Sequence, residues 1–343
     1  MQSLGLVGLL VLALILPFSV RWVEEELEIF FLLMGVTAVS LQGIWTQGLL
    51  HEALREPLPI SAAVLVAGLV FRSLLKQVRV WVRLGFLSLG ARGLAVVLVV
   101  GLGLLSAFIT SIVAALILAE AVSVLKLPRQ GELRLVILAC FAIGAGSALT
   151  PLGGPLAAIA VNRLQGPPFQ AGFFYLSALL GPWVLVLIGL FGVLAAYFVP
   201  GADEGAPVLM EGAPETLKDI VLRTAKVFGF VAGLVLFGHG FGPLAERFLT
   251  PVPSLALYWV NSLSAILDNA TLTAIEISPQ LSPERIRAAL LGLLVAGGML
   301  VPGNIPNIVC ASKLRIGAKE WARFGVPLGL AVMVFVFVVL VFA

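Results

Sequence analysis

Two stretches decide how this chain is read: Ala145–Leu164, AGSALTPLGGPLAAIAVNRL, and Ala296–Arg315, AGGMLVPGNIPNIVCASKLR. Laid over one another at an offset of 151, they agree at six of twenty positions: Ala145/Ala296, Gly146/Gly297, Leu149/Leu300, Pro151/Pro302, Pro155/Pro306 and Ala160/Ala311. The paired prolines carry most of the weight. Proline has no N–H to donate and its ring clashes with the carbonyl one turn back, so it interrupts a helix. Two matched double-proline interruptions in apolar surroundings predict two broken helices, parted at Thr150–Pro155 and at Pro302–Asn307.

The composition says what surrounds them. The chain has 343 residues, of which 60% are hydrophobic and 11% charged, and its mean hydropathy is +1.12. Soluble domains carry about 25% charged residues, and no soluble fold of this size hides so much apolar surface in one core. A cytosolic enzyme, a nucleic-acid binder and a disordered chain are excluded. Thirty-six Gly and 20 Pro exclude a plain bundle of uninterrupted helices. The remaining class is an all-α polytopic membrane protein, since only helices and closed barrels satisfy their backbones in hydrocarbon.

A span needs about 20 mostly apolar residues. Candidates are Ser3–Val20, Leu27–Leu49, Leu58–Leu75, Leu84–Leu127, Arg134–Leu164, Ala171–Val199, Leu217–Gly238, Phe241–Ile277, Arg287–Ser312 and Gly325–Ala343. That gives about ten membrane elements. Leu84–Leu127 and Phe241–Ile277 are too long for one crossing and are read as re-entrant hairpins. Met1–Phe18 resembles a signal peptide in hydropathy but lacks a basic start and a small-residue cleavage site, so it is read as the first span.

The polar segment Pro200–Asp219 divides the chain. The expected organisation is residues 1–83 as N-terminal helices for scaffold or dimerisation, 84–199 as one repeat, 200–219 as a linker and 220–343 as a second repeat. Basic residues cluster at Arg72–Arg83, Lys126–Arg134 and Lys313–Arg323, while Gln165–Gln170 has none. The positive-inside rule places the clusters in the cytoplasm, Gln165–Gln170 and both termini outside, and the two broken helices in opposite directions. Inverted repeats with paired broken helices point to a secondary transporter.

A second internal match joins Ser106-Ala-Phe-Ile-Thr-Ser111 to Ser264-Ala-Ile-Leu-Asp-Asn269, at an offset of 158. These segments, with Ser264–Thr271 as a whole, resemble the hairpin motifs of the ion transporter superfamily. Within it the similarity is to NhaD-type sodium/proton antiporters and arsenite-pump membrane subunits. Leu16-Pro17, Val23-Glu24-Glu25 and Leu27-Glu28 resemble a family of proposed cation transporters in the same superfamily. The resemblance implies two inverted repeats, each with a re-entrant hairpin and a broken helix, and a homodimer. Relatives often carry Asn where this chain has Ser111, so its two hairpins are less alike.

Asp268 is the strongest candidate for chemistry, because no other charge lies within Trp259–Ile275. A carboxylate at that depth costs several kcal/mol unless protonated or paired, so it can alternate between a proton and Na⁺. Its other reading is a structural cap on a broken helix end. Asn269, Thr271 and Ser264 offer the neutral oxygens hard cations prefer, as do Thr110 and Ser111 in the first hairpin. At the breaks, Thr150, Pro151, Gly153, Gly154, Pro302 and Gly303 bring unpaired backbone groups close to an ion, and Asn304 and Asn307 add side-chain carbonyls. Glu276 and Glu120 read either as proton-path acids or as interfacial residues. Lys313, at the end of the second broken helix, is expected to snorkel to the cytoplasm.

Cys140 and Cys310 lie in apolar runs and suggest neither a disulfide nor a zinc site. No GxxxxGK[ST], HExxH or GxSxG pattern is present, so no enzyme and no cofactor are expected. The net charge of +3 suggests no nucleic-acid partner. The expected function is a secondary transporter in the cell (inner or plasma) membrane, exchanging a small inorganic cation, Na⁺ first, for protons. The alternatives are an anion, oxyanion or dicarboxylate transporter of the same fold, and a partner-dependent subunit or scaffold.

Overall fold

A computed structural model describes residues 2–20, 22–23, 26–125, 127–199, 216–249, 252–266 and 269–342. The 200–219 linker lies largely outside the described residues, as do Asp268, Glu24, Glu25 and Lys126 and the side chains of Thr271, Arg72, Lys76, Arg79 and Arg83. Among the described residues the chain is helical and has no strand. Five helices among the described residues are long and apolar enough to cross a membrane: 87–109, 129–147, 175–198, 217–242 and 318–342.

In chain order the α-helices are α1 Gln2–Ser19, α2 Leu27–Gln42, α3 Gln47–Arg55, α4 Pro57–Ile109, α5 Ser111–Leu125, α6 Arg129–Ser147 and α7 Pro155–Arg163. They continue as α8 Tyr175–Phe198, α9 Leu217–Leu249, α10 Ser254–Val260, α11 Asn269–Glu276, α12 Pro283–Gly297, α13 Ile305–Leu314 and α14 Ala318–Phe342. Short 3₁₀ turns occupy Asn261–Ala265 and Val301–Gly303. The polar end of α9 explains its start: Thr216 Oγ and N donate to the Asp219 carboxylate at 2.6 and 3.1 Å, and Thr216 Oγ accepts from Asp219 N at 3.2 Å, a reciprocal cap on the first turn.

Each double-proline stretch parts a helix. α6 stops at Ser147 and α7 begins at Pro155; α12 stops at Gly297 and α13 begins at Ile305. Both gaps hold seven residues, 148–154 and 298–304, and the stops and restarts stand 150 apart rather than the 151 of the best sequence match. Proline explains the restart: Pro155 and Pro306 sit in the first turn of their helices, where the missing N–H would have no intrahelical partner anyway.

The long run Leu84–Leu127 is divided in two places. Gly90, at φ 69° and ψ 178°, bends α4, and Thr110, at φ 65° and ψ 146°, ends it before α5. In the second half of the chain α9 extends to Leu249, and α10, a 3₁₀ turn and α11 occupy 254–260, 261–265 and 269–276.

α6 lies at the centre, with 78% of its apolar window buried, whereas α14 has 28% buried and turns the rest outward. Leu87, Phe108, Val193 and Phe342 are among many large apolar side chains that face outward, as a lipid-facing surface requires and a soluble monomer avoids. α4 and α8 flank α6, and α2 runs along α9. Two short-helix pairs cross between the halves of the chain: α5 packs on α13, and α11 packs on α7.

Candidate functional site

The two breaks and the starts of α5 and α11 meet around one small cavity. Its wall includes the first residues of four helices: Ser111 of α5, Gly154 and Pro155 at the start of α7, Asn269 of α11, and Asn304 and Ile305 at the start of α13. Gly144 and Ser147 of α6 and Leu294 of α12 also line it. Its volume is about 20 Å³, and one water molecule needs roughly 10–15 Å³ measured this way. The cavity has room for about one water-sized particle.

Hydrogen bonds hold the turns against the breaks. Ser111 N donates to Gly153 O at 2.7 Å, and the Thr150 hydroxyl donates to Ala107 O. Ser106 Oγ donates to Ile143 O on α6 at 3.0 Å, and Ser264 Oγ donates to Leu293 O on α12 at 3.2 Å. The two serines are the pair matched in the sequence, and each bonds the first half of a broken helix. Asn307 Nδ2 spans the second break, donating to Gly297 O and Leu300 O at 2.8 Å each. Such bonds satisfy carbonyls that a broken helix leaves without partners.

Close approach explains two glycines. A Cβ at Gly297 would fall on the Asn269 amide, and one at Gly144 would fall on Asn304 Nδ2. Each glycine makes room for an asparagine on the cavity wall. Asn269 is 4% exposed, and its Oδ1 is buried with no hydrogen-bond partner; the Oδ1 of Asn307 is in the same state.

Of the residues singled out in the sequence, Ser111, Gly154, Asn269 and Asn304 line the cavity. Thr110 is the turn residue beside it. Thr150, Pro151, Gly153, Pro302 and Gly303 form the two breaks, and Ser264 and Asn307 brace them. Asp268 lies outside the described residues, directly before Asn269 in the chain. Ser147 was missed; its only signal is its place at the end of α6, donating back to Gly144 O at 2.9 Å.

Two acids lie elsewhere. Glu120 of α5 pairs with Lys313 of α13, the two side chains being 7% and 8% exposed. Lys313 thus points into the protein rather than snorkelling, because α5 brings a buried carboxylate to it. Glu276 ends α11 and accepts a hydrogen bond from Asn261 Nδ2 at 2.9 Å. Asn261 had no signal in the sequence. Among the described residues no group of three His, Cys, Asp or Glu side chains could hold a metal ion.

The fold and site define a helical protein with several helices long enough to span a membrane and a small, partly open cavity where two helix breaks and the starts of α5 and α11 converge. The chain belongs to the DUF1646 family, described as proteins of unknown function, whose model matches residues 3–343. No curated protein matches it.

Proposed function

We propose that this protein is a secondary active transporter that exchanges a small monovalent cation, Na⁺ first, for protons by alternating access. The observation that carries the reading is the buried, unpartnered Asn269 oxygen on the wall of a cavity sized for one small particle. The residue before it in the chain is Asp268. A carboxylate there supplies the charge and Asn269 a neutral oxygen, the donor set a hard cation prefers. Proton and cation compete for that carboxylate because either one neutralises it.

The same reading takes residues 84–199 and 220–343 as inverted repeats. Its support is the equal gaps at 148–154 and 298–304, the repeated serine bonds from Ser106 and Ser264, and the exchange of short helices between the halves. One repeat moving against the other around a fixed site is the usual transport motion of such folds.

A second reading, an anion as cargo, is favoured by the four helix starts at the cavity. Helix N-termini carry partial positive charge and unpaired N–H groups. The small size weighs against it: about 20 Å³ suits a bare Na⁺ better than an oxyanion or dicarboxylate.

The test is proton movement in proteoliposomes bearing the purified protein, read with a pH-sensitive dye as Na⁺, Li⁺, K⁺, arsenite and dicarboxylates are added in turn. We expect a response to Na⁺ that disappears in Asp268→Asn. Full exchange in that variant rules out the shared carboxylate, and uptake of an anion with no cation response moves the second reading to the front.

A further inference from the structure

Away from the cavity, the turn after α10 and the end of α11 bury a second polar pair. Asn261 is 1% exposed and Glu276 9%. Asn261 Nδ2 uses its two hydrogens on Glu276 Oε2, at 2.9 Å, and on Ala289 O of α12, at 3.0 Å. What is left over is Asn261 Oδ1 and Glu276 Oε1, both buried and both without a hydrogen-bond partner. An amide oxygen and an ionised carboxylate oxygen can each only accept. Two residues already joined by one hydrogen bond thus hold two acceptors and no donor between them.

One proton resolves both. Placed on Glu276 Oε1, it turns that atom into a donor, and the acceptor left without one on the residue already bonded to it is Asn261 Oδ1. Without it, each buried unsatisfied acceptor carries the full penalty of its lost hydration, and the ionised carboxylate has one hydrogen bond where it could take several. Charged groups lie on the elements packed against this pair. Arg285 of α12 acts on Glu276 electrostatically, and its Nη2 also donates to Val252 O at 2.7 Å. From α9, Lys226 pairs with Glu26 and His239 with Glu52, while Lys218 is exposed and Asp219 caps its own helix. Arg163 of α7 is exposed.

We propose that Glu276 and Asn261 form a proton-binding site, separate from the ion cavity, in which the Glu276 carboxyl holds a proton on Oε1 at neutral pH and donates it to Asn261 Oδ1. Occupancy of this site stands apart from the transport reading; only a part for this proton in exchange rests on that reading.

The experiment is infrared spectroscopy of the purified protein at neutral pH, in light and heavy water, following the carbonyl stretch of protonated carboxyls. We expect a band in the wild type that disappears in Glu276→Gln and shifts in Asn261→Ala, where its hydrogen-bond acceptor is gone. Glu276→Gln mimics the protonated acid, because its Nε2–H donates where the hydroxyl did, so its melting temperature should equal or exceed that of the wild type. The band should survive in Asp268→Asn, which separates failure of this site from failure of the exchange mechanism. A wild type with no such band, a band unchanged by Glu276→Gln, or a sharp loss of stability in that variant overturns the proposal.

Discussion

Thr110 holds φ at 65°, a region that β-branched residues rarely enter. Strain of this kind costs on the order of 1–3 kcal/mol. Against it stands one weak contact, Val113 N donating to Thr110 Oγ at 3.3 Å. Thr110→Gly removes the strain and only a few tenths of a kcal/mol of capping, so the variant should melt at a higher temperature in detergent; a lower one would show that the cap outweighs the strain. Asn269 invites the opposite comparison. Its oxygen has no partner to lose, so Asn269→Ala should leave the melting temperature nearly unchanged while ion affinity falls about tenfold, roughly 1.4 kcal/mol. Equal losses in both measurements would make Asn269 a packing residue. Asn269 and Asn304 stood out in the sequence because polar residues are rare in apolar runs. Asn261 did not, since its role comes from Glu276, fifteen residues away along the chain.

At the scale of elements, the breaks were legible because proline acts locally, through its own missing N–H and its clash with the preceding turn. The boundary between α4 and α5 has no such local cause and was suggested only by the likeness of Ser106–Ser111 to a hairpin motif. Leu84–Leu127 has no proline, and the turn at Thr110 depends on contacts from elsewhere, Ser111 N to Gly153 O and the Thr150 hydroxyl to Ala107 O. The Glu120–Lys313 pair is another such case, tying α5 to α13 across 193 residues. A buried pair that loses one partner strands the other charge, at a cost of about 3–5 kcal/mol. Lys313→Met should therefore lower stability sharply, and Glu120→Gln with Lys313→Met should recover most of the loss, as read by thermal denaturation. A double variant no better than the single one would show that the pair is not coupled.

For the whole molecule, the prediction concerns direction. If the broken helices run oppositely, the segment after α7 and the segment after α13 lie on opposite faces of the membrane. Gly166→Cys places a thiol where nothing lies within 4 Å of the new Cβ, and Lys319→Cys places one at an exposed position. The native Cys140 and Cys310 are 1% and 0% exposed, so they should stay silent to an impermeant reagent. Labelling of the two variants from opposite sides of sealed vesicles is expected; labelling from one side would end the inverted arrangement.

Composition alone determined that the chain is helical and apolar enough for a membrane, because the balance of apolar to charged residues is summed over the chain and needs no coordinates. Local chemistry determined where two helices part, because proline and glycine act within a turn of themselves. Only the tertiary structure decided which helix starts share a cavity, that α5 packs on α13 and α11 on α7, and that Lys313 turns inward to Glu120. Those facts depend on residues more than a hundred positions apart meeting in space. Hydropathy and spacing report what a segment is, whereas its neighbours are set by how all the segments pack together.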